Sequence, residues 1–159
     1  MIAKTLKKKL PRKPARRAKD APAARFVKLD VRGNALPAAA SDWHAVWDLL
    51  TNLIWSRTLP CGRVTQPDAV KQAAEFVLCG RPARLPTRAE LLSLVDDTRH
   101  SPAIDVSVFP KTGSAWYWTS TPAACSPGVY AWYVDLHSGD ADWSFQDYYG
   151  FVRACRPGQ

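Results

Sequence analysis

A long apolar run is the first thing this 159-residue sequence lacks. Its longest apolar stretches are a handful of residues, against the roughly 20 that a membrane-spanning helix needs. The start is also unlike a secretory signal, because Leu6 and Leu10 stand alone among Lys, Arg and Pro. The chain is therefore expected to be made in the cytoplasm, with no membrane partner. Cysteine is scarce and scattered: Cys61, Cys79, Cys125 and Cys155 form no pair at CxxC spacing. That is too little for a disulfide scaffold and argues against a structural zinc site. All four read as small buried residues, with a Cys61–Cys79 or Cys125–Cys155 bridge as the alternative outside the cell. Histidine is limited to His44, His100 and His137, with neither HxH nor HExxH spacing for a metal. No GxSxG and no Gly-rich phosphate loop is present. The expectation is a non-enzyme without metal or cofactor.

Acid is nearly missing from one end. Residues 1–28 hold eleven Lys or Arg against the single acid Asp20, while residues 29–159 hold eleven against thirteen acids. The net charge of +8 thus belongs to the N-terminal arm, and the remainder is near neutral. Pro11, Pro14 and Pro22 block a continuous helix there, and little apolar material offsets the entropy of ordering, so residues 1–25 are expected to be disordered. Lys7, Lys8, Lys9, Arg12, Lys13, Arg16 and Arg17, with no aromatics among them, suit phosphate contacts that are salt-sensitive and blind to base sequence. An acidic protein surface, or an arm laced through neighbouring subunits of an oligomer, suits them equally.

The rest of the chain has ample core material, with 47% hydrophobic residues and seven Trp. Phe26–Val31 reads as a short strand, and residues 33–42 as a linker or loop. A first helix is predicted over 66–78, with Thr65 as cap, Pro67 in its first turn and Asp68 in a capping-box position. Ala69, Ala73, Phe76 and Val77 share a face of it, and Gly80 ends it. A second is predicted over 88–96, opened by the capping box Thr87–Glu90 and carrying Leu91, Leu92, Leu94 and Val95. Beyond residue 100 the texture changes to aromatic strands, at 116–120, 129–136 and 150–156, with a turn at 137–140. Two helices followed by short strands make an α+β pattern.

The segment 137–150 is the candidate ligand surface. It holds four aromatics and three acids in what its turn residues predict to be a loop, and exposed aromatics among polar groups suit sugar or protein recognition. Asp140, Asp142, Trp143, Asp147, Tyr148 and Tyr149 are the candidate ligand-binding residues. In the alternative, Trp143, Phe145 and Tyr149 are an inward strand face and Tyr148 and the acids point out. Asp140, Asp142 and Asp147 supply oxygen ligands of the kind calcium takes, but not at EF-hand spacing.

Four segments resemble the Lcl C-terminal domain family of bacterial and phage proteins. Asp48-Leu-Leu-Thr-Asn52-Leu-Ile-Trp55 is similar to its "D..TGLxW" opening, with Asn52 in place of the usual Gly. Arg84-Leu-Pro86-Thr87-Arg-Ala-Glu90-Leu resembles its "WRLPTxxEL" signature, with Ala83 where Trp usually stands. Tyr117-Trp118-Thr-Ser-Thr121 and Gly150-Phe-Val-Arg-Ala-Cys-Arg156 resemble its "YWTST" and "VRxVR" strands. The resemblance covers about 48–156. It implies a C-type-lectin-like fold of the formylglycine-generating-enzyme branch. Together with the charge split it divides the chain into arm 1–28, strand and linker 29–47, and domain 48–159. Trp55, Arg84, Pro86, Thr87, Glu90 and Trp118 are expected to be structural, Arg84 as an ion-pair partner. The fold's namesake uses a reactive Cys pair close in sequence and binds copper, whereas Cys125 and Cys155 lie thirty residues apart. The leading expectation is a recognition or structural module tethered by its arm to a larger assembly such as a phage or virus particle. Its partner is then a protein assembly, or a carbohydrate or protein receptor. A nucleic-acid-associated protein comes second and a redox or formylglycine-type enzyme third.

Overall fold

The computed structural model describes residues 24–158; the seven basic positions between Lys7 and Arg17, and the disorder expected up to residue 23, lie outside them. In chain order the elements are β1 (Phe26–Leu29), β2 (Ala45–Asp48), β3 (Leu53–Ser56), α1 (Gln66–Glu75), β4 (Val77–Leu78) and β5 (Arg81–Pro82). They continue with α2 (Arg88–Leu92), β6 (Trp116–Pro122), β7 (Tyr130–Asp135), β8 (Ala141–Phe145) and β9 (Cys155–Pro157). The α+β class with two helices and short antiparallel strands is what the sequence predicts.

One sheet runs β1-β2-β3-β9 and another β6-β7-β8, all neighbours antiparallel. The segment between Gly150 and Pro157 joins them. Phe151 pairs with Tyr117 of β6, and Cys155 pairs with Trp55 of β3. Period-two alternation then divides the interior into two cores, one on each face. Ala45, Ile54, Trp118, Ala131 and Ala154 meet Ala69 and Ala73 of α1 on one side. Val46, Leu53, Trp55, Tyr117, Val134 and Cys155 meet Leu91 and Leu94 on the other, with Ile104 and Phe109. A sheet covered on both faces needs apolar residues at successive positions, which is why every residue of β3 is buried. Trp118 is fully buried and donates its Nε1 to Val64 O at 3.0 Å, and it packs so closely on Gly150 that a Cβ there would lie 2.9 Å from the indole.

Several predicted boundaries move, for local reasons. β1 stops at Leu29 because the Asp30 carboxylate accepts the amides of Arg32 and Asn34, both at 2.8 Å, and turns the chain. α1 ends at Glu75, not 78: Phe76 is extended at ψ 123°, and Val77–Leu78 pairs with Arg81–Pro82 across a turn with Cys79 and Gly80 at φ 50° and 74°. Phe76 therefore does pack on the first core, but Val77 is exposed. α2 stops at Leu92, and Leu94 and Val95 continue in single turns bonded to Leu91 O and Leu92 O. The predicted strand 150–156 is regular only from Cys155: Gly150 and Phe151 make single bridges, and Val152, Arg153 and Ala154 are buried outside any strand.

The span boundaries also change. Phe26, Val27 and Lys28, counted with the arm by charge, form β1, and β2 lies where a linker was expected. Arg25 belongs to the fold as well. Its Nε and Nη2 donate to the two oxygens of the fully buried Asp48 at 2.9 and 2.7 Å, and Nη2 also reaches Ser93 O at 2.7 Å. Burial alone would raise the Asp48 carboxyl, but Arg25, the Leu50 amide and the Thr51 hydroxyl together hold it below its ordinary 3.8. Arg25→Ala should accordingly cost about 3 kcal/mol in urea unfolding, because it leaves a buried carboxylate without its counter-charge. A carboxylate held low stabilises fully above its ordinary value and loses that contribution as pH falls through the folded one. The difference between wild type and Arg25→Ala should therefore shrink below pH about 4.

Candidate functional site

The signature around Arg84 resolves into one polar corner. Thr87 Oγ1 accepts the Glu90 amide at 3.3 Å, and Glu90 Oε2 accepts the Thr87 amide at 2.8 Å, so both halves of the capping box exist. The same Glu90 carboxylate takes Arg84 in fork geometry, at 2.8 and 2.6 Å. The Arg84 guanidinium, first by hydrogen bonding, holds Glu90 below its usual 4.5. Pro86, which is buried, holds the approach, and its carbonyl accepts the Ser120 amide. The backbones of Arg84 and Cys155 exchange two hydrogen bonds, at 2.8 and 2.9 Å, so the corner also anchors β9. Arg84, predicted as a buried ion-pair partner, is paired but half-exposed.

A second region lies on the β6-β7-β8 sheet. Residues 141–145, predicted as loop, form β8, and Trp132 and Trp143 pair across it, as do Tyr130 and Phe145. Trp143 and Phe145 share one face and both touch the Tyr130 ring, at 4.8 and 4.6 Å between centroids. Neither points inward, for Trp143, Phe145, Tyr148 and Tyr149 are between 42% and 58% exposed. We call this face the ledge. Around the turn after β8, Arg63, Trp116, Asp147, Tyr148 and Tyr149 line a cleft of about 590 Å³. Arg63 shapes it by donating twice to Tyr149 O, at 3.2 and 2.7 Å. Trp116, its aromatic floor, lies flat against Tyr133 with rings 4.6 Å apart and 10° from parallel. Burial, then Asp142 and Asp135, push the Tyr133 phenol up.

The predicted ligand residues thus divide. Asp147, Tyr148 and Tyr149 line the cleft, Trp143 stands on the ledge, Asp142 lies across from Tyr133 on the opposite face of β8, and Asp140 just precedes that strand. Asp140, Asp142 and Asp147 do not converge on a calcium position: among the described residues no three His, Cys, Asp or Glu side chains gather as metal ligands. Arg63 and Trp116 come from outside 137–150 and carry no local signal for this site. His100 and His137 are isolated along the sequence but not in the fold. Their rings sit 4.6 Å apart, and Ser101 Oγ lies 2.9 and 3.0 Å from their Nδ1 atoms. All four cysteines are free thiols, Cys125 exposed and Cys155 buried. Burial pushes the Cys155 thiol up to about 12, away from a reactive thiolate.

The sequence profile of the Lcl C-terminal domain family matches residues 44–156. The chain belongs to that family. No curated relative matches it. One departure of this Lcl domain from the family's pattern has a structural explanation. Asn52 stands at φ 54°, a left-handed conformation that Gly adopts freely and Asn tolerates better than other side chains. Its Oδ1 also accepts Trp47 Nε1 at 2.9 Å. Ala83, in the usual place of Trp, is buried within the first core. Of the other signature residues, Trp55 and Trp118 are both fully buried.

Arg153 is also sealed in. Fully buried, it donates to Ser56 O and Thr112 Oγ1 at 2.6 and 2.7 Å and lies over the Phe109 ring, and among the described residues it makes no ion pair. Burial pulls its guanidinium down to about 10.

Because Glu90 serves both the cap and Arg84, Glu90→Ala should destabilise more than Thr87→Ala, reversing the order expected of a cap alone. Thr87→Ala should cost about 1 kcal/mol and Glu90→Ala about 2. The two should couple in a double-mutant cycle measured by chemical denaturation, and additive effects would refute the shared corner.

Proposed function

We propose that this Lcl domain is a non-catalytic recognition module with a C-type-lectin-like fold of the formylglycine-generating-enzyme branch. Its N-terminal arm joins it to a larger assembly such as a phage or virus particle, and its cleft binds a carbohydrate receptor. The observation that carries this is the cleft of Arg63, Trp116, Asp147, Tyr148 and Tyr149. An aromatic floor accepts the C–H face of a sugar ring, while a guanidinium and a carboxylate at its rim suit hydroxyl groups as donor and acceptor. Tyr149, already exposed, adds contact area with little conformational entropy to lose. The buried Cys155, held protonated, favours binding over redox chemistry at that thiol.

Full-length protein should bind a subset of an array of immobilised oligosaccharides. Tyr149→Ala should weaken that binding by about 30-fold, the scale of an interface hot spot, with thermal melting unchanged. An array without signal, or signal indifferent to Tyr149, would sink the carbohydrate reading. A nucleic-acid role for the arm is favoured by its charge. It predicts binding to DNA and RNA alike, falling linearly with salt on a log–log plot and lost when Lys7, Lys8, Lys9, Arg12 and Lys13 are replaced.

A further inference from the structure

Two of the three histidines meet at the end of β7. Ser101 donates its amide to His137 O at 3.0 Å and Ala103 donates to Leu136 O at 2.7 Å, so residues 101–103 run beside that end. Gly139, in the turn to β8, lets the same region close up: a Cβ there would lie 2.8 Å from Val95 Cγ1. His100 and His137 are thirty-six and thirty-seven positions from each other's neighbours in sequence, yet their rings stand 4.6 Å apart, both on the surface. His100 Nδ1 lies 2.9 Å from Ser101 Oγ, and that oxygen lies 3.0 Å from His137 Nδ1. Ser114 Oγ also comes within 2.9 Å of His137 Nδ1. The set is over-subscribed. A ring nitrogen offers one lone pair or one N–H in the ring plane, so His137 Nδ1 cannot fully satisfy two hydroxyls. A cation among them can, because it draws on nitrogen lone pairs and hydroxyl oxygens together. Adjacent ligands held at about 2.0–2.1 Å from one metal ion stand roughly 3 Å apart, the spacing along these four atoms.

We propose that His100 and His137 are the nitrogen ligands of a divalent copper, nickel or zinc ion, with the Ser101 and Ser114 hydroxyls as oxygen donors beside it. Imidazole nitrogen suits these three ions. Among the described residues no third His, Cys, Asp or Glu gathers there, so hydroxyl and water oxygens fill the rest of the shell. Local charge agrees with a dication. No Lys or Arg stands between Lys111 and Arg153, a span that places Asp135 and Asp140 on either side of His137. Asp135 Oδ1 accepts the His137 amide at 2.9 Å, and neither acid joins an ion pair among the described residues. Arg99, next to His100, is matched by Asp96 and Asp105 at 2.8 and 3.5 Å. The ion ties the segment after α2 to the turn between β7 and β8. The inference goes beyond the recognition reading and uses no residue of the cleft.

Titration of the full-length protein with nickel chloride in a non-chelating buffer tests it. One ion should bind per chain, with saturation. Paramagnetic Ni(II) should broaden the ring-proton resonances of His100 and His137 together and leave those of His44 sharp. The ion should also raise the melting temperature, because only the folded chain brings the two rings together. His100→Ala and His137→Ala should each abolish the saturable binding and the rise, while melting as wild type does without metal. His44→Ala, Cys125→Ser and Tyr149→Ala should bind nickel normally, so loss of sugar binding and loss of metal binding remain separate results. Absence of saturable binding, binding that survives in either histidine variant, or binding lost in any of the other three would overturn the proposal.

Discussion

The carboxylate of Glu90 is the point on which the architecture turns. It closes the first turn of α2, holds Arg84 in a fork, and through the Arg84 backbone fixes where Cys155 pairs. Cys155 in turn sets the register of β9 against β3, and the chain just before it bridges to the second sheet. A five-residue helix has too few internal bonds to hold itself, so a cap that also carries an ion pair is what makes so short an element dependable.

The two cores depend on the same strands, because alternate residues of β3, β6 and β7 serve opposite faces. A one-residue slip would exchange Trp118 for Tyr117 and Ile54 for Trp55 across the sheet, a change neither core has room for. Arg153 adds a second constraint. A buried guanidinium that makes no ion pair among the described residues leans on fixed acceptors, and Ser56 O and Thr112 Oγ1 take its Nη1 and Nη2 while Nε stays without a partner there.

Local chemistry was legible in the sequence. Thr65 and Thr87 mark the helix starts, the aromatic alternation marks β6 and β7, and RLPTxxEL marks the corner. What escaped depended on distant partners. α1 ends early because Val77 and Leu78 find a strand partner in β5, which outweighs helical periodicity. Residues 141–145 carry Asp and Ser yet form a strand, since β7 offers a ladder that propensity does not register. Arg25 was counted as arm because charge counting sees sign alone, and its role exists only once Asp48 is buried beside it. Within the cleft, the three residues from 147–149 were singled out in advance. Arg63 and Trp116 were not, because only the folded chain brings them there.

The absence of Lys and Arg between Lys111 and Arg153 reaches beyond electrostatics. Proteases of trypsin-like specificity find no bond to cut within β6, β7, β8 or the turn that follows. Their nearest downstream site is Arg153, which is sealed in the interior. The β6-β7-β8 sheet would therefore survive as one piece in an environment rich in such enzymes, even where the basic end of the chain was trimmed away.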